Sequence, residues 1–355
     1  MTSPIITEAV RHLVDRKDLS RIEAAAAMEA IMSGAATNAQ IAAFLTALRM
    51  KGETVEELIG FAQVMRQKAV RIRVHDDVAG MTGTDREMLI DTCGTGGDAT
   101  GTFNVSTATA FVVAGAGLKV AKHGNRSVSS LCGSADVVET LGINLDLTPQ
   151  KVARCVDEVG IGFLYAPLLH TAMKHVMPVR REMAIRTVFN MLGPLTNPAS
   201  ANAQIIGVYS AALTEPLARV LAELGTVRAF VVHGADNLDE ISNTGESRVS
   251  EVREGMVRSY TVRPEDFGLA RTTIAELMGG DREENARIIR AILDGDAGPK
   301  RDIVLMNSAA ALVAGAKARD LKEGVGLAAH AIDSGAALRK LEALIGLSRR
   351  LADEK

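Results

Sequence analysis

The chain has 355 residues, of which 47% are apolar and 23% are charged, and its formal net charge is −3. This composition is typical of a globular protein and excludes a fibrous or intrinsically disordered chain. The near-neutral charge, together with 3% aromatic residues and no tryptophan, gives neither an electrostatic nor a stacking signal for nucleic acid. A chain of this length can form two domains with a substantial core.

The cysteines and the amino terminus favour a cytoplasmic protein. Cys93, Cys132 and Cys155 form an odd set without C-x-x-C spacing, so neither a disulfide framework nor a zinc knuckle is expected. The first residues lack the basic and apolar regions of a signal peptide. The uncharged run from Gly101 to Leu118 has membrane length, but it contains polar residues such as Asn104, and we interpret it as a buried helix.

Residues 4 to 70 are predicted to form a small helical unit. Apolar residues recur at helical spacing as far as Met32, and a further helix is predicted over 41–50. Thr54 followed by Glu57 is a capping box that opens the next predicted helix. This part of the chain shows no strand pattern.

After the helical unit, short apolar strands alternate with helices. Strands are predicted over 88–92, 118–121, 162–165, 204–209 and 229–233, and helices over 105–114, 137–141, 149–159 and 215–224. Residues 247–262 alternate as in an antiparallel sheet edge, and the last third of the chain is helical. The alternation predicts an α/β domain whose central sheet is mostly parallel and covered on both faces.

The predicted organisation is an α domain over 1–73 and an α/β domain over 80–355. The segment from Val74 to Arg86 is interpreted as the linker between them. The apolar, basic stretch from Pro167 to Leu192 lacks strand character. We expect its helices to return to the N-terminal helices, which makes the α domain discontinuous.

A glycine-rich window from Asp91 to Thr107 follows the first predicted strand. It reads D-T-C-G-T-G-G-D-A-T-G-T-F-N-V-S-T, and glycine lets successive N–H groups approach an anion. A helix starting after Asn104 would add its free N–H groups. The window also matches the dinucleotide fingerprint G-x-G-x-x-A, but a Rossmann turn opens its helix at once. We therefore favour a phosphate-binding loop, with a dinucleotide turn and a purely structural turn as alternatives.

The basic loop K-H-G-N-R, residues 122–126, stands at the end of a predicted strand. This is where α/β sheets place ligands. Ser127, Ser129 and Ser130 follow and supply further donors for phosphate oxygens. The alternative interpretation is a solvated basic loop.

The acidic turn H-G-A-D-N-L-D-E, residues 233–240, ends another predicted strand. Three carboxylates within five residues repel one another unless a cation neutralises them. Magnesium prefers hard oxygen ligands and commonly takes one or two carboxylates together with waters and substrate phosphates. The turn therefore favours a magnesium site over an acidic surface turn.

The stretch from Pro167 to Leu192 also contains candidate ligand-binding residues. Arg180 and Arg181 are adjacent, and a guanidinium suits a carboxylate; a surface role is the alternative for each. His170 and His175 are five positions apart, whereas neighbours on a helix face are three or four apart. A paired histidine metal site is therefore not expected.

Together these motifs resemble the anthranilate phosphoribosyltransferase family. The resemblance rests on G-T-G-G-D, N-V-S-T, K-H-G-N-R, the run F-N-M-L-G-P-L-T-N-P at 189–198 and the turn H-G-x-D-x-L-D-E, and it covers nearly the whole chain. Asn237 stands where the family usually has glycine, and Thr171 where proline is common. Because asparagine tolerates the left-handed conformation, Asn237 fits the turn.

The resemblance implies transfer of the 5-phosphoribosyl group from 5-phosphoribosyl 1-diphosphate (PRPP) to anthranilate, in tryptophan biosynthesis. It implies an active site in the cleft between the α and α/β domains, a homodimer, and two Mg²⁺ ions per active site. No nucleic-acid or membrane partner is expected. A pyrimidine nucleoside phosphorylase-like enzyme and a nucleic-acid-binding paralogue of the same fold are the alternatives. The K-H-G-N-R loop argues against the first, and Arg180 and the net charge against the second.

The resemblance also assigns roles to individual residues. The catalytic residues are Lys122, Asn125 and Arg180, and the metal ligands are Ser106, Asp239 and Glu240. The residues that bind PRPP are Gly94, Gly97, Asp98, Thr102, Asn104, Val105, Ser106, Thr107, Lys122, His123, Gly124, Asn125, Arg126, Ser127, Val128, Ser129, Ser130 and Ser134. The residues that bind anthranilate are Gly94, His123, Asn125, His170, Arg180 and Pro194.

Overall fold

The structure is a computed structural model that describes residues 2–74, 87–127 and 131–354. Its amino-terminal part is helical, as predicted, and consists of α1 (Pro4–Val14), α2 (Arg21–Met32), α3 (Asn38–Lys51) and α4 (Val55–Lys68). Helices α2, α3 and α4 each begin with a capping box, and the box predicted at Thr54 and Glu57 is confirmed. Beyond Val74, the predicted linker lies outside the described residues.

The stretch 167–192 forms several short helical pieces. They are α8 (Ala166–Leu169), a 3₁₀ helix (Thr171–His175), α9 (Met177–Met183) and α10 (Val188–Leu192). Proline lies in the first turn of both α8 and α9, where its missing N–H costs no hydrogen bond. Val179 and Phe189 lie in the same apolar core as Phe44 and Phe61 of the N-terminal helices. These pieces therefore pack on the helical unit.

A seven-stranded sheet organises the rest of the chain. Its strands are β1 (Leu89–Gly94), β2 (Lys119–Gly124), β3 (Ile161–Tyr165), β4 (Ala203–Gly207), β5 (Arg228–His233), β6 (Ser247–Arg253) and β7 (Met256–Val262). Their order is β3-β2-β1-β4-β5-β6-β7, with the first five parallel and the last two antiparallel. The predicted mostly parallel sheet and its antiparallel edge are confirmed.

Helices cover both faces of this sheet. They are α5 (Val105–Gly115), α6 (Ser134–Thr140), α7 (Pro149–Val159), α11 (Thr214–Glu223), α12 (Arg282–Leu293), α13 (Pro299–Ala314), α14 (Leu321–Asp333) and α15 (Ala336–Asp353). Successive strand residues point to opposite faces. Ile205 and Phe230 therefore join the core that includes α5 and α13, whereas Ile206 and Val231 join the core of α11 and the helical unit.

The uncharged run from Gly101 to Leu118 contains helix α5, as predicted. Every residue of α5 from Thr107 to Ala114 is buried within the protein, between the sheet and the C-terminal helices. Among the described residues, no helix combines the length and the apolar character that a bilayer crossing requires.

A buried ion pair fixes the start of α4. The Glu57 carboxylate has no exposed side-chain surface and accepts hydrogen bonds from Leu19 N at 2.9 Å, Thr54 N at 2.8 Å and Lys51 Nζ at 3.0 Å. It therefore connects the loop before α2 with the amino terminus of α4.

We predict that Glu57→Ala lowers the free energy of unfolding by about 3 kcal/mol, because it breaks a buried ion pair and leaves two backbone N–H groups without their partner. Urea denaturation followed by circular dichroism measures the change. The matched control is Glu56→Ala, which removes an exposed carboxylate paired with Arg21. Equal unfolding midpoints for the two variants would contradict this role of Glu57.

Candidate active site

Three loops meet at the carboxyl edge of the sheet. One follows β1 at Gly94, one follows β2 at Gly124, and one follows β5 at His233. Parallel neighbours end at the same edge, so loops that are distant in sequence become neighbours there. The glycine window, the basic loop and the acidic turn, predicted separately from the sequence, therefore lie at one edge.

The glycine loop after β1 has the backbone of an anion-binding turn. Gly96, Gly97 and Ala99 have φ of 62°, 78° and 60°, which is the left-handed region. No helix opens at the loop, because α5 begins only at Val105. This late helix start separates the loop from a dinucleotide-binding turn and supports the predicted phosphate loop.

The amino terminus of α5 faces the acidic turn. Asn104 is its N-cap, and the Asn104 side chain makes no capping hydrogen bond. The N–H of Ser106 donates to the Glu240 carboxylate, and Ser106 Oγ accepts from Lys122 Nζ at 3.3 Å. Thr107 is fully buried, and its N–H donates to Asn104 O at 3.1 Å.

Lys122 lies beneath the loops. Its side chain is buried, and Nζ donates to Thr92 O at 2.5 Å and to Ser106 Oγ at 3.3 Å. Burial lowers the pKa of Lys122, and the nearby Asp91 and Glu240 oppose this effect. An ammonium group has three donors, so one remains for a further acceptor.

Negative charge is crowded at the acidic turn. Burial raises the pKa of Asp239 to about 7, and the neighbouring Asp98 adds to the shift. Burial and the charge of Asp239 raise the pKa of Glu240 well above its ordinary value. Asp239 Oδ2 accepts from Gly96 N at 3.0 Å, which connects the turn with the glycine loop. Asn237 has φ 62°, as expected for an asparagine that replaces glycine there.

Two glycines let the acidic turn approach the strand ends. A Cβ on Gly207 would lie 1.5 Å from the carbonyl oxygen of Asp239, and one on Gly94 would lie 2.7 Å from its carboxylate. Any other residue at Gly207 would displace the turn backbone. The close packing of β1, β4 and the turn thus depends on glycine at both strand ends.

The oxygen ligands at this edge fit a magnesium ion. Asp239 and Glu240 supply carboxylates, and burial together with the neighbouring carboxyl groups raises the pKa of both. No group of three or more His, Cys, Asp and Glu side chains within residues 2–74, 87–127 and 131–354 is arranged to enclose a metal. An ion here would therefore keep coordination positions for water and phosphate oxygens, as Mg²⁺ commonly does.

Two histidines form a neutral aromatic wall. The ring centroids of His123 and His170 are 5.1 Å apart, and both residues are buried. Burial lowers the pKa of His123 to about 3 and that of His170 to about 4, so both rings are uncharged at neutral pH. The backbone of Gly193 also contacts the His123 ring. The next residue, Pro194, is buried, and its carbonyl oxygen accepts from Gln204 Nε2 at 3.0 Å.

Arg180 lies on α9 and packs on an aromatic ring. Its guanidinium carbon is 5.5 Å from the centroid of Phe189. Burial lowers the pKa of Arg180, and within the described residues no carboxylate forms an ion pair with it. Arg181 is exposed. Arg180 therefore combines partial burial, positive charge and a flat apolar neighbour.

The basic loop contains side chains in very different environments. Asn125 is exposed, and its Oδ1 accepts from Arg126 N at 2.8 Å. The Arg126 guanidinium instead donates to Asp136 at 2.9 Å and Glu139 at 2.8 Å. The charge of Arg126 is thus paired within the protein. Ser134 Oγ donates to Asn125 O at 3.4 Å.

Several predicted residues belong to the surroundings of the loops. Thr102 pairs with Met278 in an isolated bridge. Val105 is buried in the first turn of α5, Gly124 ends β2, and the Ser127 N–H donates to Asp136 at 3.1 Å. Val128, Ser129 and Ser130 lie outside the described residues.

Sequence reasoning missed two residues that organise the site, Asp91 and Arg186. Asp91 is fully buried and accepts from His123 N at 3.1 Å and from Asn197 Nδ2 at 2.8 Å, so it fixes the start of the basic loop. A charged residue inside an apolar strand was the available signal. Arg186 donates to the carbonyl of Gly97 and lies 4.6 Å from the Tyr209 ring centroid. Nothing local in the sequence indicates that contact.

Comparisons with known proteins agree with this geometry. The helical bundle domain of a glycosyl transferase family matches residues 7–69, and the a/b domain of that family matches residues 86–338. An anthranilate phosphoribosyltransferase of Symbiobacterium thermophilum is 58% identical over 345 residues, which cover 97% of this chain and 98% of that protein.

The chain belongs to the anthranilate phosphoribosyltransferase family.

Solved structures of this family have the same fold. The Thermus thermophilus enzyme matches with a TM-score of 0.89 and 43% identity, over 96% of this chain and 99% of that chain. The Saccharomyces cerevisiae enzyme in complex with PRPP and Mg matches with a TM-score of 0.86 and 30% identity, over 98% and 99% of the two chains. The predicted fold class and family are thereby confirmed, and neither the nucleoside phosphorylase nor the nucleic-acid-binding alternative is supported.

The buried histidines predict a loss of stability in acid. Unfolded His170 binds a proton below about pH 6.5, whereas folded His170 does so only below about pH 4. The unfolded state therefore binds more protons between these values, and stability falls as the pH falls through 6.5. At pH 5 the loss from His170 is about 2 kcal/mol.

We expect His170→Gln to lose less stability than wild type between pH 8 and pH 5, measured as the free energy of urea unfolding. The exposed His330 gives the matched control, His330→Gln. An acid loss in His170→Gln equal to that of wild type and of the control would show that His170 is not held neutral by burial.

Proposed function

We propose that this chain transfers the 5-phosphoribosyl group of PRPP to the amine of anthranilate, as its family membership and its site indicate. The products are N-(5-phosphoribosyl)anthranilate and diphosphate, and the step belongs to tryptophan biosynthesis. One observation carries the proposal: the glycine loop donates a hydrogen bond from Gly96 N to the Asp239 carboxylate at 3.0 Å, and burial and the neighbouring Asp98 raise the pKa of that carboxyl group. That pairing suits a substrate with a diphosphate and a divalent metal.

PRPP is proposed to bind across the three loops and the amino terminus of α5. The glycine loop has N–H groups and no Cβ atoms at Gly94, Gly96 and Gly97, so a diphosphate can approach its backbone. The amino terminus of α5 adds the positive end of the helix dipole. The basic loop adds Asn125 and the backbone of residues 124–127.

Magnesium is proposed as the cofactor, with two ions per active site. Asp239, Glu240 and Ser106 would hold it, directly or through water, and Asp98 would contribute from the glycine loop. The bound ion would offset the crowding that raises the pKa of both carboxyl groups of the turn. When bound, Mg²⁺ supplies positive charge to the diphosphate leaving group.

Catalysis is proposed to depend on charge and position rather than on a strong base. The C1–oxygen bond to diphosphate breaks, C1 becomes oxocarbenium-like, and the anthranilate nitrogen forms the new C1–N bond and releases a proton to water. Lys122 has one donor left for the growing negative charge on diphosphate. The histidine pair is neutral, so it adds no repulsion to the positive sugar.

Anthranilate is proposed to lie between the histidine wall and α9. Its ring suits the uncharged surface of His123, His170 and Pro194, and its carboxylate suits the guanidinium of Arg180. No ion pair within the described residues neutralises that guanidinium, so it is free to take a carboxylate. Asn125 and the backbone at Gly94 would lie near the amine.

The remaining proposals concern the domains, the oligomeric state and the cellular location of the protein. We propose a helical domain over 1–73 with the pieces of 167–192, and an α/β domain over 80–355. A homodimer would form through the helical domain, where Val14, Ile22 and Met50 are exposed apolar residues. We also propose a cytoplasmic location, since Cys93, Cys132 and Cys155 form no disulfide bond.

The proposed contact between Arg180 and the anthranilate carboxylate gives the most specific test of the proposed function. Arg180→Ala removes a charge-assisted pair worth about 1.5–3 kcal/mol, so kcat/KM for anthranilate should fall by about 10- to 150-fold. PRPP affinity, measured by calorimetry with Mg²⁺, should stay near the wild-type value. The assay follows the loss of anthranilate fluorescence on addition of PRPP and Mg²⁺.

Arg181→Ala is the matched control for Arg180→Ala, because Arg181 is the exposed neighbour on the same helix. It should retain kcat/KM close to wild type. A damaging Arg181→Ala together with a silent Arg180→Ala would place the acceptor elsewhere and overturn the assignment of the anthranilate site.

The metal assignment predicts a separate loss. The double variant Asp239→Ala, Glu240→Ala should abolish turnover at every Mg²⁺ concentration, because both side chains serve the ion that binds with PRPP. Its melting temperature should not fall below that of wild type, since the change removes crowded carboxylates. Near-wild-type turnover across a Mg²⁺ titration would refute the proposed ligands.

A further inference from the structure

A buried asparagine of the C-terminal helices reaches the PRPP loop from behind. Asn285 lies in the first turn of α12 and is 2% exposed. Its Nδ2 donates to Asn104 Oδ1 at 3.1 Å, although the two residues are 181 positions apart in sequence. Asn104 is the N-cap of α5 and the point where the glycine window turns into the helix.

The two amides form a directional chain of hydrogen bonds. At one end the Gly280 N–H donates to Asn285 Oδ1 at 2.9 Å, and at the other Asn104 Nδ2 donates to Cys132 O at 3.2 Å. The chain starts on a backbone donor and ends on a backbone acceptor, so neither amide can flip without placing two like groups together.

The backbone segments beside these two amides are closely packed. They therefore leave no room for a substitute hydrogen-bond partner if the Asn285 side chain is removed. Phe103 N donates to Leu277 O at 3.3 Å, and Gly279 N donates to Gly101 O at 3.0 Å, so residues 101–103 run along residues 277–279. A Cβ on Gly279 would lie 2.4 Å from Asn285 Oδ1 and 2.7 Å from the Cα of Phe103. Within residues 2–74, 87–127 and 131–354, Asn285 is the one side chain that hydrogen-bonds to the Asn104 side chain.

We propose that Asn285 is a positioning residue for PRPP binding, which acts by holding the Asn104 side chain at the amino terminus of α5. The inference rests on the proposed function, because it takes residues 94–107 as the PRPP loop. The Asn104 side chain is occupied by the protein on both sides. It therefore makes no capping hydrogen bond to the first turn of α5. There, Val105 N donates to Phe103 O at 2.8 Å and Thr107 N donates to Asn104 O at 3.1 Å.

Asn285→Ala should raise KM for PRPP by roughly 5- to 30-fold, because it leaves Asn104 Oδ1 and Gly280 N–H without partners. KM for anthranilate should change by less than about 2-fold, since only the PRPP loop is released. Asn285→Asp keeps the shape and the acceptor for Gly280 but lacks the donor to Asn104. Asn285→Asp should therefore show the same increase in KM for PRPP. If Asn285→Ala does not fold, the KM of Asn285→Asp tests the positioning role instead.

A double-mutant cycle tests whether Asn285 acts through Asn104. In an Asn104→Ala background, Asn285→Ala should cause no further loss of PRPP affinity, because residues that act through one another are not additive. Calorimetric titration of PRPP with Mg²⁺ measures all four proteins. Additive losses would overturn the proposal.

The matched control is an asparagine at the opposite edge of the sheet. Asn202 Oδ1 accepts from Leu89 N at 2.8 Å at the amino end of β1. Asn202→Ala should lower the melting temperature but keep the wild-type affinity for PRPP. An equal PRPP loss in Asn202→Ala, or none in Asn285→Ala, would overturn the positioning role. A wild-type protein that binds no PRPP would instead refute the proposed function itself.

Discussion

Crowded negative charge at the carboxyl edge of the sheet is the constraint on which the site depends. Asp98, Asp239 and Glu240 come from two different loops, and their closeness is possible only because Gly94 and Gly207 leave room for the acidic turn. The single buried lysine of the neighbouring strand offsets only part of this charge. Under the proposed function, a divalent cation bound with an anionic substrate would neutralise these carboxylates without a permanent metal cage.

Different parts of the fold carry the other residues of the proposed site. The helices of 166–192 lie on the helical unit and present Arg180, while the α/β domain presents the glycine and basic loops. His123 and His170 meet where the two groups of elements approach each other. The C-terminal helices support the loops from the opposite side through buried amides such as Asn285. Bringing both substrates together therefore depends on contacts between segments that are distant in sequence.

The sequence predicted features whose signal is local. Helix periodicity, the capping box at Thr54 and short apolar strands all act within a few residues, and the loops at strand ends follow from parallel pairing. The features that the sequence did not predict are tertiary contacts between distant segments. Nothing near Arg126 indicates that Asp136 and Glu139 neutralise it. Likewise, the hydrogen bonds of Asp91, Arg186 and Asn285 join segments whose contact only the folded chain creates.

The most direct test of this account is a calorimetric titration of PRPP into the wild-type protein, with Mg²⁺ and then with EDTA. If the acidic turn is built for an ion that arrives with diphosphate, PRPP should bind in Mg²⁺ and lose most of its affinity in EDTA, because the carboxylates then repel it. Equal affinity under both conditions would contradict the account, since the crowded carboxylates would then have no part in substrate binding.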